Sequence, residues 1–380
     1  MNNTGTRLSF ALLGYFILVI LLLTLNPFYL VMPERVRFTF DSDLNNAISN
    51  ILLFLPIGFF YRLSTRKRGA LLIGTIISIS IELLQIFIPA RTPSIVDILT
   101  NAVGAGIGAA FNDFISSRIA ISKGTVGRLR LETPLMGLVY LLTALLWTNS
   151  MALANEPNRV LLTTLLGICG AVVLSDLFRH WWEKVDYRIS SYASLSAGIW
   201  FLLGISPSLR QPGPSLIIGL GIMILAGILT ILPQRSTERR FEQATLKKVL
   251  PIFAFYLTLL ALWHPFRSLT DWHWSIGFTN QITETSMSVL MPRIEYLVAF
   301  TVLGYLFAEW RGRAEIPLQQ DLPRLFISGI GAIVVLEIFV GFQVGSGASV
   351  ARSMMAIISA LFGGTIYHLL RAHIRFLLQH

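Results

Sequence analysis

The chain has 380 residues, of which 54% are hydrophobic and only 13% are charged. A soluble domain carries roughly 25% charged residues, so this composition excludes an ordinary soluble protein and indicates an integral membrane protein. A net charge of +10 would point to nucleic acid in a soluble protein. Here the basic residues lie between apolar segments, which indicates orientation in a membrane, and we expect no nucleic-acid partner.

Apolar segments long enough to cross a bilayer follow one another along the whole chain. A span needs roughly twenty predominantly apolar residues, and each candidate is broken at its ends by Pro, Gly or charged residues. Twelve windows qualify: 8–25, 46–63, 69–89, 94–114, 133–154, 159–178, 188–205, 214–233, 246–263, 291–310, 324–343 and 349–370. The sequence therefore predicts an all-α polytopic membrane protein with about twelve transmembrane helices.

The basic residues between these windows predict the orientation. With the N-terminus in the cytoplasm, 22 of the 30 Lys and Arg residues lie in inside segments and eight lie outside. Segments rich in Lys and Arg remain on the cytoplasmic side of a membrane. Both termini are therefore predicted to be cytoplasmic.

A weak internal repeat divides the chain. The segment "NILLFLPIGFFYRLS" (50–64) aligns with "YLVAFTVLGYLFAEW" (296–310), and residues 81–108 align without gaps with residues 336–363. Corresponding helices of the two copies are eight spans apart, so the copies share one orientation and form a parallel repeat. The predicted regions are a four-helix unit at 1–120, a four-helix middle membrane region at 121–245 and a degenerate second four-helix unit at 246–380.

Polar residues are concentrated in the hairpin of the third and fourth windows. Glu82 and Gln85 lie on the third, Asp97 and Asn101 on the fourth, and Arg91 in the short link between them. Such groups at membrane depth cost several kcal/mol unless they face a cavity or a partner. The helical rise of 1.5 Å per residue predicts that Gln85 lies beside Asp97 and Glu82 beside Asn101.

These residues predict a polar site in the outer half of the membrane. Asn50 of the second window contributes from a neighbouring span, and Gly104 and Gly108 let another backbone approach closely. Two interpretations remain open: the polar groups bind a ligand, or they bind one another as contacts between helices. Arg91 at the rim is an interfacial anchor, a partner of Asp97, or a residue that holds a phosphate or carboxylate.

The same motifs resemble the signature of the VanZ-like family. The segments "NILLFLPIGF", "IELLQIFIPAR" and "DILTNAVGAGIG" read Asn, Phe-x-Pro-x-Gly, Glu-x-x-Gln, Arg and Asp-x-x-x-Asn-x-x-Gly. The resemblance covers residues 8–114 well and residues 246–370 faintly. It implies a protein of the bacterial plasma (inner) membrane and cell envelope. The member that gives the family its name is linked to low-level resistance to the glycopeptide teicoplanin, and no catalytic residues transfer.

The second copy changes most of these polar positions. Glu337 is retained, Glu295 appears near the position of Asn50, and Arg352 stands in place of Asp97. The opposite charges of Glu337 and Arg352 predict a structural pair. Any site in this copy would therefore have a different chemistry.

These observations support two functional hypotheses. In the first, the outer polar site binds an envelope component, either a membrane lipid, a lipid-linked cell-wall precursor or another amphiphilic ligand. In the second, the chain is a structural or accessory subunit of a larger membrane complex, and its polar residues pack helices. An enzyme is less favoured because no nucleophile–base pair is visible. No metal or cofactor is expected, since no zinc, nucleotide-loop or nucleophile-elbow motif occurs.

Overall fold

The fold is a bundle of long helices, as the apolar windows predict. A computed structural model describes residues 3–25, 31–33, 38–40, 43–65, 69–88, 92–118, 123–155, 159–181, 187–208, 213–232, 241–263, 272–276, 287–311, 316–343 and 347–379. The helices among these residues are α1 (Asn3–Thr24), α2 (Leu44–Thr65), α3 (Ala70–Gln85), α4 (Ile95–Arg118), α5 (Lys123–Asn155), α6 (Val160–Trp181), α7 (Tyr187–Gly204), α8 (Gly213–Ile231), α9 (Phe241–Ala261), α10 (Met287–Arg311), α11 (Leu318–Val340) and α12 (Val350–Gln379). Each predicted window corresponds to one helix, and the all-α prediction is confirmed.

The helices have the length and composition of membrane spans. Seven of those described are long and apolar enough to cross a bilayer: Leu44–Thr65, Ile95–Ile115, Pro134–Leu153, Val160–His180, Gln243–Ala261, Leu318–Val340 and Val350–Ala372. Three further apolar helices are shorter: Ser9–Thr24, Ala70–Gln85 and Ser215–Ile231. The chain is therefore a multi-pass membrane protein, while the count of twelve spans remains a prediction.

Two of the middle helices, α5 and α6, occupy the interior of the bundle. In α5, 78% of the span Pro134–Leu153 is buried, and in α6, 72% of Val160–His180 is buried. The corresponding share is 33% for Ile95–Ile115 of α4 and for Leu318–Val340 of α11. A mostly buried span contacts other helices, whereas an exposed apolar face of a membrane helix contacts lipid. Thus α4 and α11 lie at the periphery.

Helices α2 and α4 pack with their backbones in direct contact. A Cβ atom added to Gly104 would overlap the backbone of Ile51, and one added to Gly108 would overlap the carbonyl of Leu55. Small residues at such positions permit the close approach on which helix packing in membranes depends. The predicted packing role of both glycines is therefore consistent with their surroundings.

The same glycine contacts recur between α10 and α12. In each unit a glycine of the second helix lies against the fourth, and a glycine of the fourth lies against the second. The corresponding contacts are Gly58–Ala105 with Gly304–Ala360, and Gly108–Leu55 with Gly363–Thr301. These correspondences keep the register of the sequence alignment, so the second helix pair repeats the packing of the first.

A short β contact precedes the fourth helix of each unit. Thr39 forms a parallel bridge with Ser94, and its carbonyl accepts a hydrogen bond from the N–H of Ile95 at 3.2 Å. Strand β1 (Trp274–Ser275) pairs in parallel with β2 (Ala348–Ser349), which ends where α12 begins. In both units, the segment after the first helix therefore folds back onto the start of the fourth.

Candidate functional site

Glu82 lies on the last turn of α3 and stabilises the start of α4. Its Oε2 accepts a hydrogen bond from the backbone N–H of Ser94 at 2.8 Å, and the residue is only 3% exposed. The first N–H groups of a helix lack an intrahelical acceptor and carry partial positive charge, so a carboxylate there is favourable. Glu82 thereby fixes α3 against α4 at the hairpin.

Two amide side chains connect α3 with neighbouring helices. Asn101 of α4 donates from Nδ2 to the hydroxyl of Ser78 at 2.9 Å. Gln85 donates from Nε2 to the carbonyl of Thr24, the last residue of α1, at 3.0 Å. That carbonyl has no acceptor role within its own helix, because the final carbonyls of a helix lack intrahelical donors. Both contacts therefore satisfy polar groups inside the bundle.

Asp97 connects α4 with α2. Its Oδ1 accepts a hydrogen bond from Nδ2 of Asn46 at 3.0 Å, and its backbone N–H lies 3.4 Å from the hydroxyl of Ser94. Asp97 is half-buried, whereas Asn101, one turn further along α4, is buried. The polar cluster therefore becomes less accessible with distance from the start of α4.

Two buried amide atoms in this cluster have no hydrogen-bond partner in the described part of the chain. They are Nδ2 of Asn50 on α2 and Oδ1 of Asn101 on α4. A buried polar group without a partner costs about 1–3 kcal/mol. The cluster thus contains one donor and one acceptor that the protein's described side chains leave unsatisfied.

The hydrogen bonds differ from those that helix spacing predicts. Gln85 binds the end of α1, Glu82 binds the N–H of Ser94, and Asn101 binds Ser78. The predicted site residues that the structure describes, Asn50, Glu82, Gln85, Asp97 and Asn101, lie on α2, α3 and α4. Arg91, predicted at the rim of the site, lies outside the described residues.

The second unit has a glutamate, Glu337, at the position of Glu82 and a cation, Arg352, at the position of Asp97. Oε2 of Glu337 accepts the N–H of Ser349 at 2.8 Å, as Glu82 does in the first unit. The guanidinium of Arg352 forms two hydrogen bonds of 2.6 Å with the Glu337 carboxylate and lies 5.6 Å from the ring centroid of Tyr296. Glu337 and Arg352 thus form the ion pair that their charges predict.

A second buried ion pair joins the middle region to the C-terminal helices. Glu295 of α10 is fully buried and lies 2.5 Å from Arg159, which is 2% exposed at the start of α6. Its Oε1 also accepts from Asn149 of α5 at 2.7 Å and from Tyr256 of α9 at 3.3 Å. The guanidinium of Arg159 lies 5.6 Å from the ring of Trp263. Four helices therefore meet at one carboxylate.

This network was not predicted from the sequence, because Arg159 stands at the end of an apolar window, among the eight basic residues assigned to the outside. The available signal was the presence of Glu295 and Asn149 inside apolar windows, since such groups need partners in a membrane. Their separation of 146 residues concealed which partners those were. The network satisfies every hydrogen-bonding atom of the Glu295 carboxylate, which indicates a packing role.

No group of three or more His, Cys, Asp or Glu residues that could hold a metal ion occurs in the ranges that the structure describes. The acids instead contact helix N–H groups, amides or guanidinium groups, as described above. Their arrangement can hold hydrogen-bonding or charged groups of a ligand, and its geometry defines a polar site inside a multi-pass helical membrane protein.

Comparison with known families identifies the first part of this protein. Residues 5–116 match the family model described as VanZ/LLP1, so these four helices form a VanZ-like region and the resemblance seen in the motifs is confirmed there. The match does not include the C-terminal helices, so a second VanZ-like copy remains a prediction. Searches of curated proteins and of solved structures returned no match.

Proposed function

We propose that this protein binds an amphiphilic molecule of the bacterial cell envelope, a membrane lipid or a lipid-linked cell-wall precursor. The binding site is the polar cluster at the predicted outer ends of α2, α3 and α4. It consists of Asn50, Glu82, Gln85, Arg91, Asp97 and Asn101. The VanZ-like region supports a link to the envelope and to glycopeptide resistance.

The supporting observation is that the second unit packs in the same way with different residues at most of these positions. The glycine contacts and the acid at the start of the fourth helix recur. In the register of those contacts, Tyr296 corresponds to Asn50, Arg352 to Asp97 and Ala356 to Asn101. The four-helix scaffold therefore does not require an amide, an acid and an amide at these positions, and a binding role accounts for them.

The burial of polar groups supports the same proposal. Ionisable side chains inside a membrane are expensive and commonly mark substrate pathways or binding sites. Asp97 is half-buried and therefore within reach of a ligand, while Asn101 lies deeper. A ligand that enters from the half-buried end would meet Asp97 first.

Asp97→Asn tests the proposal because it removes the charge and preserves the shape. We expect expression of the native chain to confer teicoplanin tolerance on a cell. Expression of the variant at the same protein level should not do so, because a bound group would lose its charged partner. Arg91→Gln should behave similarly.

Asp113→Asn is a matched control on the same helix. Asp113 lies near the other end of α4, where its carboxylate contacts Arg62 at 2.6 Å and is 54% exposed. This variant should retain tolerance. If Asp97→Asn and Arg91→Gln both behaved like the control while the protein remained folded, the binding proposal would be refuted.

The alternative is a structural or accessory subunit of a larger membrane complex. It is favoured by the bonds Asn46–Asp97 and Ser78–Asn101, in which the polar groups satisfy one another. In that case Asp97→Asn should preserve tolerance, and the purified protein should carry other membrane subunits in fixed proportion instead of a lipid.

A further inference from the structure

The two unsatisfied amide atoms specify the chemistry of the group that would occupy the proposed site. Asn50 presents an N–H donor, and Asn101 presents a carbonyl acceptor, both without a partner among the described residues. Asn101 is only 5% exposed, and its own amide nitrogen is already bound to Ser78. A group that completes both amides must therefore accept one hydrogen bond and donate another.

The two amides lie at one level between α2 and α4. Asn46 and Asp97, each one turn earlier on its helix, are hydrogen-bonded to each other. One residue beyond Asn50, the backbone of Ile51 lies against Gly104. Four residues advance a helix by about 6 Å, so Asn50 and Asn101 each lie about one helical turn deeper than the Asn46–Asp97 bond.

Few chemical groups satisfy such a pair. An ammonium group only donates, and an ionised phosphodiester or carboxylate only accepts. A hydroxyl group can do both. We infer that the amphiphile bound at this site inserts a neutral hydroxyl group between Asn50 and Asn101, while any charged part of its headgroup remains outside this pair of amides. This inference rests on the proposed binding function and adds the chemical class of the buried group.

Two lipids that differ in their hydroxyl groups test this inference. Phosphatidylglycerol and phosphatidylethanol with identical acyl chains are both anionic phosphodiesters, but only the first carries headgroup hydroxyls. Native mass spectrometry of the full-length protein in detergent would measure the apparent dissociation constant for each. We expect phosphatidylglycerol to bind about tenfold more tightly, because each of two hydrogen bonds within a membrane protein changes an equilibrium about threefold.

The variant Asn50→Leu should abolish this preference, since it removes the donor at similar volume. Asn112→Leu is the matched control: Asn112 is a buried amide on α4, 6% exposed and three turns beyond Asn101, and the preference should persist. Asn50→Asp, which keeps the shape and replaces the donor with an acceptor, provides a second test if the leucine variant fails to fold; it should weaken the preference.

Each other outcome is decisive. Equal binding of the two lipids to the native protein would overturn the hydroxyl inference and leave the binding proposal standing, with the amides completed by a buried water. A preference that survived in both Asn50 variants would also overturn the inference. If neither lipid bound the native protein, the proposed binding function would fail together with the hydroxyl inference.

Discussion

The ion pair between Arg159 and Glu295 provides the sharpest test of the packing argument. Replacing Arg159 with Met preserves most of the side-chain volume and leaves Glu295 buried without its cation. Glu295 is 0% exposed, so no water can replace the guanidinium without rearrangement of the helices. Removal of one partner from a buried ion pair typically costs about 3–5 kcal/mol.

The remaining contacts reduce this penalty without eliminating it. Asn149 and Tyr256 still donate to the carboxylate at 2.7 and 3.3 Å, and hydrogen bonds to a charged group contribute about 1.5–3 kcal/mol each. We therefore expect the free energy of unfolding to fall by about 3 kcal/mol in Arg159→Met, the lower end of the range.

The double variant Arg159→Met with Glu295→Gln removes both charges and retains an amide that Asn149 and Tyr256 can bind. A buried ion pair replaced by neutral groups of similar volume often leaves stability unchanged. We expect the double variant to recover at least about 2 kcal/mol relative to Arg159→Met. Such a recovery would mean that the effects of the two substitutions on the free energy of unfolding are not additive. It would identify the ion pair, and not either residue alone, as the stabilising element.

Equilibrium unfolding of the purified protein in mixed micelles with increasing SDS would measure these differences. The matched control is Arg62→Met, which breaks a carboxylate contact of similar length whose side chains are 21% and 54% exposed. An exposed pair contributes about 0–1 kcal/mol. If Arg159→Met destabilised the protein no more than Arg62→Met, burial would not govern the strength of this pair and the reasoning would fail.

Two further predictions concern helix packing and topology. Gly104→Ala should lower the yield of folded protein, because the added methyl group meets the backbone of α2. The free energy of unfolding should fall by about 1–3 kcal/mol. The control Gly221→Ala should be neutral in the same unfolding assay, since no atom lies within 4 Å of its added methyl group. The predicted topology can be tested with single cysteines at two exposed positions, Met32, which is 83% exposed, and Gln320. Both variants are made in a protein whose buried Cys169 is replaced by alanine. An impermeant thiol reagent applied to intact cells should label the Met32→Cys variant and not the Gln320→Cys variant, and the opposite pattern would reverse the predicted orientation.

The helices were predictable because their signal is local. Each needs a run of about twenty apolar residues with breakers at its ends, and all twelve windows correspond to helices. The details at the ends were less predictable. Helix α3 ends at Gln85, four residues before the window does, and Ser206, in a segment predicted to be an outer loop, lies buried in a short 3-10 helix. These ends depend on tertiary contacts that a hydropathy window does not include.

The composition of the site was also predictable, but its hydrogen bonds were not. Polar residues in apolar spans identified the helices that carry this cluster, because such residues require partners. The choice of partner depends on the rotation of each helix about its axis and on how deeply its neighbours pack. Gln85, for example, binds the carbonyl of Thr24 at the end of α1. Residue spacing within a hairpin contains no information about a third helix.

Contacts that both units share stabilise the fold, whereas polar residues that differ between the units are the ones that could bind a ligand. Glu82 and Glu337 bind the start of the following helix with the same geometry, so this contact belongs to the scaffold. At the next polar position the first unit has Asp97 and the second has Arg352, which binds Glu337 twice. The second unit therefore contains its own cation for the carboxylate, whereas the first places a second acid there. Because the charges are opposite, one ligand cannot suit both units, and the binding proposal applies to the first alone.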